Sequence, residues 1–101
     1  MDRGRDVRYG WNEAKRLANL ENHGVDFAAV QGFEWEFAIR RVDDRDDYGE
    51  LREQAIGFIG DRLYVLVFTD RDDDEGELIW VISLRRAEAP EKRAYERATR
   101  K

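Results

Sequence analysis

Residues 51–69 decide the fold. LREQAIGFI (51–59) and RLYVLVFT (62–69) are two apolar, β-rich runs separated only by Gly60-Asp61. A two-residue Gly-Asp loop between such runs is a hairpin signal. Downstream, LIWVISL (78–84) is a third strong strand, reached through the acidic loop 70–77. Upstream, Ala38, Ile39 and Val42 suggest an edge strand that runs into a second acidic turn at 43–49. Connections this short fit an antiparallel meander of three or four strands. Val7 and Tyr9 alternate with charged neighbours and suggest a short first strand at 5–10.

Helices flank this sheet. In WNEAKRLANLENHGVDF (11–27), Asn12 is a good N-cap, and Trp11, Ala14, Leu17, Ala18 and Leu20 form an apolar stripe at helical spacing. Gly24 suits the left-handed position past the helix end, which places His23, the only histidine, in the last turn. Asp26 can cap a second helix, 26–36, anchored by Phe27, Val30 and Phe33 or Phe37. Pro90 can occupy the first turn of a last helix, 89–99, with Ala94, Tyr95 and Ala98 facing the sheet. The expected order is β-α-α-β-β-β(-β)-α. This is an α+β domain with a small antiparallel sheet, two N-terminal helices and one C-terminal helix, packed on one sheet face. The other face should be partly polar.

The 101 residues read as one domain, 1–101. Charged residues make up 41% of the chain, well above the roughly 25% of an average domain. Without cysteine, a disulfide scaffold and a cysteine-based zinc site are excluded. One histidine and acidic loops without the order of a Ca²⁺ loop argue against a metal. No Gly-rich phosphate loop points to a nucleotide cofactor, so no cofactor is expected. The absence of an apolar N-terminal run or a membrane-length apolar segment makes a cytoplasmic protein the expectation.

The net charge of −5 taken alone argues against nucleic-acid binding, since phosphate contacts need Lys and Arg. The acid is concentrated in 43–50 and 70–77, however. Residues 85–101 are basic, and Arg3, Arg5 and Arg8 form a second cluster. These runs read either as solvated loops and a solvated helix face or as a local basic face on an acidic body.

Four blocks carry a family resemblance. They are WNEAKRLANLENHGVDF (11–27), DRDDYGELR (44–52), IGFIGDRLYVLVFTDR (56–71) and ISLRRAEAPEKRAYE (82–96). In order and spacing the sequence resembles the BrnT toxins, small ribonucleases of bacterial toxin–antitoxin pairs. The resemblance implies a RelE-like fold and a metal-independent endoribonuclease that inhibits translation. It also implies neutralisation by a DNA-binding, BrnA-like antitoxin, with a homodimer or a toxin–antitoxin heterotetramer as candidate assemblies. In such chemistry the RNA 2′-hydroxyl attacks the adjacent phosphate. A base, cations and an acid are needed.

The positions carried over are His23, Glu50, Arg71, Arg85 and Tyr95 for catalysis, with Arg52 and Arg86 for substrate binding. His23 is the first choice for proton transfer, because its intrinsic pKa lies nearest neutrality. Glu50 is the substitute base. Arg71 and Arg85 suit a phosphate clamp, and Arg85, beside a second Arg and a basic helix, is the strongest. Each also has a structural reading: His23 as a cap, Arg52 and Arg71 in ion pairs with Asp neighbours, Glu50 as a turn residue, Tyr95 as core.

The chain departs from the family pattern where an Arg is usual at 80, an Ala at 84 and a Lys at 22. It has Trp80, Leu84 and Asn22. Simple strand alternation puts 80, 82 and 84 on one face. Trp80 and Leu84 then form an apolar patch suited to a partner interface. This motivates an alternative function: a catalytically weakened binding module that acts through its antitoxin in operon repression. A third reading packs both residues under the last helix.

Overall fold

The computed structural model describes residues 7–45 and 47–100. Strand β1 (Arg8–Gly10) is followed by helix α1 (Glu13–His23), two 3₁₀ segments (Phe27–Gly32 and Trp35–Phe37), strands β2 (Ile39–Val42), β3 (Glu53–Ile59), β4 (Arg62–Asp70) and β5 (Leu78–Arg86), and helix α2 (Ala89–Thr99). The hairpin forms as read from the sequence. Ile59 pairs with Arg62 across Gly60-Asp61, and only Gly60 of the two has positive φ (64°), as a type II′ turn requires. The edge strand, the third strand and the last helix also stand where the sequence placed them.

The sheet is mixed rather than antiparallel. Its order is β1-β5-β4-β3-β2, and β1 lies parallel to β5, with Arg8, Tyr9 and Gly10 opposite Leu78, Ile79 and Trp80. A parallel neighbour so distant in sequence leaves no local turn signal. Of the strand expected at 5–10, residues 5 and 6 lie outside the described residues, as do Arg3 and Arg5 of the N-terminal basic cluster. Arg8 ion-pairs with Asp73 and donates to the Gly76 carbonyl, fastening β1 to the acidic loop.

The segment expected as a second α-helix is instead two 3₁₀ turns. Asp26 caps the first through Ala28 N–H at 2.9 Å. The turn then breaks because Phe33 leaves it to bridge Ile59, and Glu34 N–H donates to the Phe58 carbonyl. Phe27, Val30 and Phe33 are buried, whereas Phe37 is exposed and anchors nothing. The buried three meet Ala55, Leu66, Phe68, Ile79, Val81 and Leu84 on one sheet face. On the opposite face Tyr95 and Ala87 cover Ile56 and Val65. Helical layers therefore occupy both faces, not one. The second face is partly polar beyond the reach of α2, where Gln54, Thr69 and Ser83 alternate with apolar neighbours.

Helix α1 departs most from its pattern. Asn12 caps it through Lys15 N–H at 3.1 Å, and Gly24 closes it at φ 71°. Yet Ala14, Leu17, Ala18 and Leu20 are exposed, and the buried residue is Asn19. The reason lies in the sheet. β1 ends at Gly10, so the β5 backbone beyond Trp80 has no strand on that side. The Asn19 amide takes the strand's place, donating to the Leu84 carbonyl at 2.7 Å and accepting from Leu84 N–H at 3.3 Å. It also donates to the Val25 carbonyl at 2.9 Å. A buried backbone edge left without partners is costly, and the Asn19 amide supplies those partners from the buried position of the helix.

Candidate functional site

A β-bulge determines which side chains share a face. The β4–β5 register passes from Val67 opposite Ser83 to Phe68 opposite Val81, which makes Ile82 the extra residue. Trp80, Ser83 and Arg85 therefore share the face that α2 partly covers, while Val81 and Leu84 enter the core on the other. The expectation that 80, 82 and 84 lie together is corrected. Leu84 has no exposed surface, so it is neither a partner contact nor packed under the last helix. Trp80 is half-buried.

Arg71 continues the β4 alternation past Thr69, which is opposite Trp80, and its guanidinium lies 4.5 Å from the Trp80 ring centroid. Its backbone N–H donates to the Leu78 carbonyl, closing the acidic loop behind it. The preceding loop is pinned beside it, because Thr69 Oγ1 donates to the Leu51 carbonyl at 2.6 Å. That contact places Glu50 between two cations, 3.3 Å from Arg71 and 3.8 Å from Arg52. Arg52 stacks over Tyr48 at 3.9 Å, and its Nε is buried with no hydrogen-bond partner among the described residues. Asn12 and Lys15, from the first turn of α1, complete a hollow of about 230 Å³ with Glu50, Arg52, Arg71 and Trp80. Three cations, one carboxylate and a helix N-terminus thus converge on one concavity, an arrangement that attracts a phosphate.

The other expected residues are elsewhere. Arg85 is on the same sheet face but forms two hydrogen bonds with Glu91, at 2.9 and 2.6 Å. Glu91 also accepts from Glu88 N–H in the capping box of α2. Arg85 thus ties β5 to α2. Arg86, opposite Tyr64, takes the other face and lines a separate hollow with Arg62 and Lys92. Tyr95 is buried against Phe58 and its hydroxyl donates to the Phe37 carbonyl at 3.0 Å. His23 is exposed at the far end of α1, about 12 Å along the helix axis from Lys15. The ion pairs expected of Arg52 and Arg71 exist, with Glu50 as partner rather than an Asp neighbour. Lys15 and Tyr48 were not singled out from the sequence, and Asn12 only as a helix cap. The spacing of Asn12 and Lys15, three apart on one helix face, was the available signal.

The Arg85–Glu91 pair has a pH signature. The Arg85 guanidinium, through its hydrogen bonds, holds the Glu91 carboxyl below the usual range despite desolvation. A depressed carboxyl contributes stability that is present above its unfolded value, about 4.3, and lost as pH falls through the lower folded value. Glu91→Gln should therefore lower unfolding free energy by about 1–3 kcal/mol at pH 7, with the difference shrinking below pH 4. Urea unfolding at pH 7 and pH 3 checks this. A difference that does not change between the two would contradict it.

Among the described residues no group of three or more His, Cys, Asp or Glu is placed to hold a metal ion, and no helix is long and apolar enough to cross a membrane. An α+β domain with a five-strand mixed sheet, carrying a guanidinium-lined hollow at a helix N-terminus, is the class the geometry defines. Residues 11–91 match the family model described as the ribonuclease toxin, BrnT, of type II toxin–antitoxin systems. The chain belongs to that family, and a type II toxin–antitoxin family implies an antitoxin partner. A crystal structure of the Brucella abortus ribonuclease toxin BrnT is similar, with a TM-score of 0.59 and 30% identity over 83% of this chain and 100% of that one. No curated protein matches the sequence.

Proposed function

We propose that this chain is the toxin of its pair and cleaves RNA without a metal, at the hollow between Glu50, Arg52 and Arg71. The observation that carries this reading is the convergence of Arg52, Arg71 and Lys15 around the Glu50 carboxylate. Arg71 and Lys15 bind the scissile phosphate and meet the charge that develops on its oxygens. Arg52, whose buried Nε faces Glu50 at 3.8 Å, adds its positive charge beside the same anion. Glu50 accepts the proton of the attacking 2′-hydroxyl. The leaving 5′-oxygen takes its proton from water or from Lys15. His23, Arg85, Arg86 and Tyr95 have no place in this step. They are an exposed helix end, a sheet-to-helix tie, an opposite-face cation and a core residue. The antitoxin neutralises the toxin by covering the cation hollow. The alternative of a weakened binding module loses its main support, since Leu84 is core and the apolar patch does not exist.

The test is an oligodeoxynucleotide with a single ribose, incubated with antitoxin-free protein in excess EDTA. Cleavage should occur only 3′ of that ribose and leave a 2′,3′-cyclic phosphate. An all-deoxy control should stay intact. A folded sample that leaves the ribose-containing strand whole refutes the reading.

A further inference from the structure

Two neighbours bear on the Trp80 ring. Gly10 is its register partner in β1, and a Cβ built on Gly10 would stand 3.0 Å from two indole carbons. The ring therefore lies against the one β1 residue without a side chain. Its other neighbour is the Arg71 guanidinium, 4.5 Å from the ring centroid. The same guanidinium reaches Glu50 at 3.3 Å, and the Arg71 backbone is fixed to Leu78. Arg71 is thus held from three directions, and only one of its three holders is a charge.

We infer that Trp80 is a positioning residue for RNA binding: with Gly10 against it, the indole holds the Arg71 guanidinium at the hollow before RNA arrives. The inference rests on the ribonuclease reading above. An unrestrained Arg side chain loses rotamer freedom when it grips a phosphate, and a guanidinium already stacked on an aromatic ring loses less. One placed cation then does work that a more mobile pair would share. This gives the aromatic at position 80, where the family pattern has an Arg, a role in binding rather than a cost to it. Gly10 belongs to the same device, because a methyl there would press on two indole carbons at 3.0 Å and shift the ring.

The experiment compares wild type with Trp80→Leu, Trp80→Phe and Gly10→Ala in the full chain. The first readout is NMR of the Arg71 side chain, whose δ protons should be shifted upfield by the indole ring current. Trp80→Leu should abolish that shift, Trp80→Phe should keep most of it, and Gly10→Ala should change it. The second readout is binding of a 2′-O-methyl oligonucleotide, which cannot be cleaved. Trp80→Leu should weaken it about three- to tenfold, and Trp80→Phe should restore it. In an Arg71→Ala background Trp80→Leu should weaken binding no further. Arg71 resonances that ignore Trp80→Leu, or equal losses of binding with and without Arg71, overturn the inference and leave the ribonuclease reading intact. Failure of wild type to bind the oligonucleotide overturns that reading, and the inference with it.

Discussion

Arg71→Ala is expected to slow RNA cleavage by about 10²- to 10³-fold, the usual cost of removing one group aimed at developing charge. Its stability should stay within about 0.5 kcal/mol of wild type, the range for surface substitutions away from special features. The Arg71 side chain is 46% exposed, and a half-exposed pair with Glu50 contributes about 0–1 kcal/mol. The backbone N–H bond to Leu78 survives in the Ala variant. Arg85→Ala should show the opposite profile. It leaves the Glu91 carboxylate, only 19% exposed, without its guanidinium, so stability falls while cleavage by the remaining folded protein changes much less. Initial rates on a single-ribose substrate, with urea unfolding of each variant, separate the two. Equal cleavage by Arg71→Ala and wild type would remove the hollow as the active site.

The two arginines show which parts of the site the sequence made legible. In the sequence both read as following strands, and both suited a phosphate clamp by residue type. Side-chain chemistry alone favoured Arg85, with its basic surroundings. The structure separates them through partners that no local pattern encodes: Glu91 from the next helix for Arg85, Glu50 from twenty-one positions upstream for Arg71. The hairpin was readable because its signals are local, namely two apolar runs and a Gly-Asp turn. The capping of α1 by Asn12 and the first turn of α2 at Ala89-Pro90 were readable for the same reason. The parallel β1, the 3₁₀ breaks at Phe33 and the burial of Asn19 were not, because each answers a backbone pairing need set by a distant strand. His23 shows the limit from the other side. Its position at a helix end was legible, yet position on a helix does not say which end meets the cations.

Leu84→Ala is expected to destabilise the fold by about 2–5 kcal/mol, the range for truncating a fully buried leucine. The argument turns on a single extra residue. With regular alternation from Trp80, position 84 would share the exposed face, and its truncation would cost little. The bulge at Ile82 inverts this, because a one-residue shift moves every later side chain to the other face. Leu84 then has no exposed surface and packs in the cluster that holds Phe27, Val30, Leu66 and Phe68. Arg85, by the same shift, moves to the face of Trp80. Urea unfolding of Leu84→Ala and wild type decides between the two registers, and a loss under about 1 kcal/mol would restore the regular strand. The outcome also governs how antitoxin binding is read. If Leu84 is core, loss of antitoxin binding by Leu84→Ala reports lost stability rather than a lost contact. Under the proposed reading, the interface is sought with exposed residues around the hollow, such as Lys15.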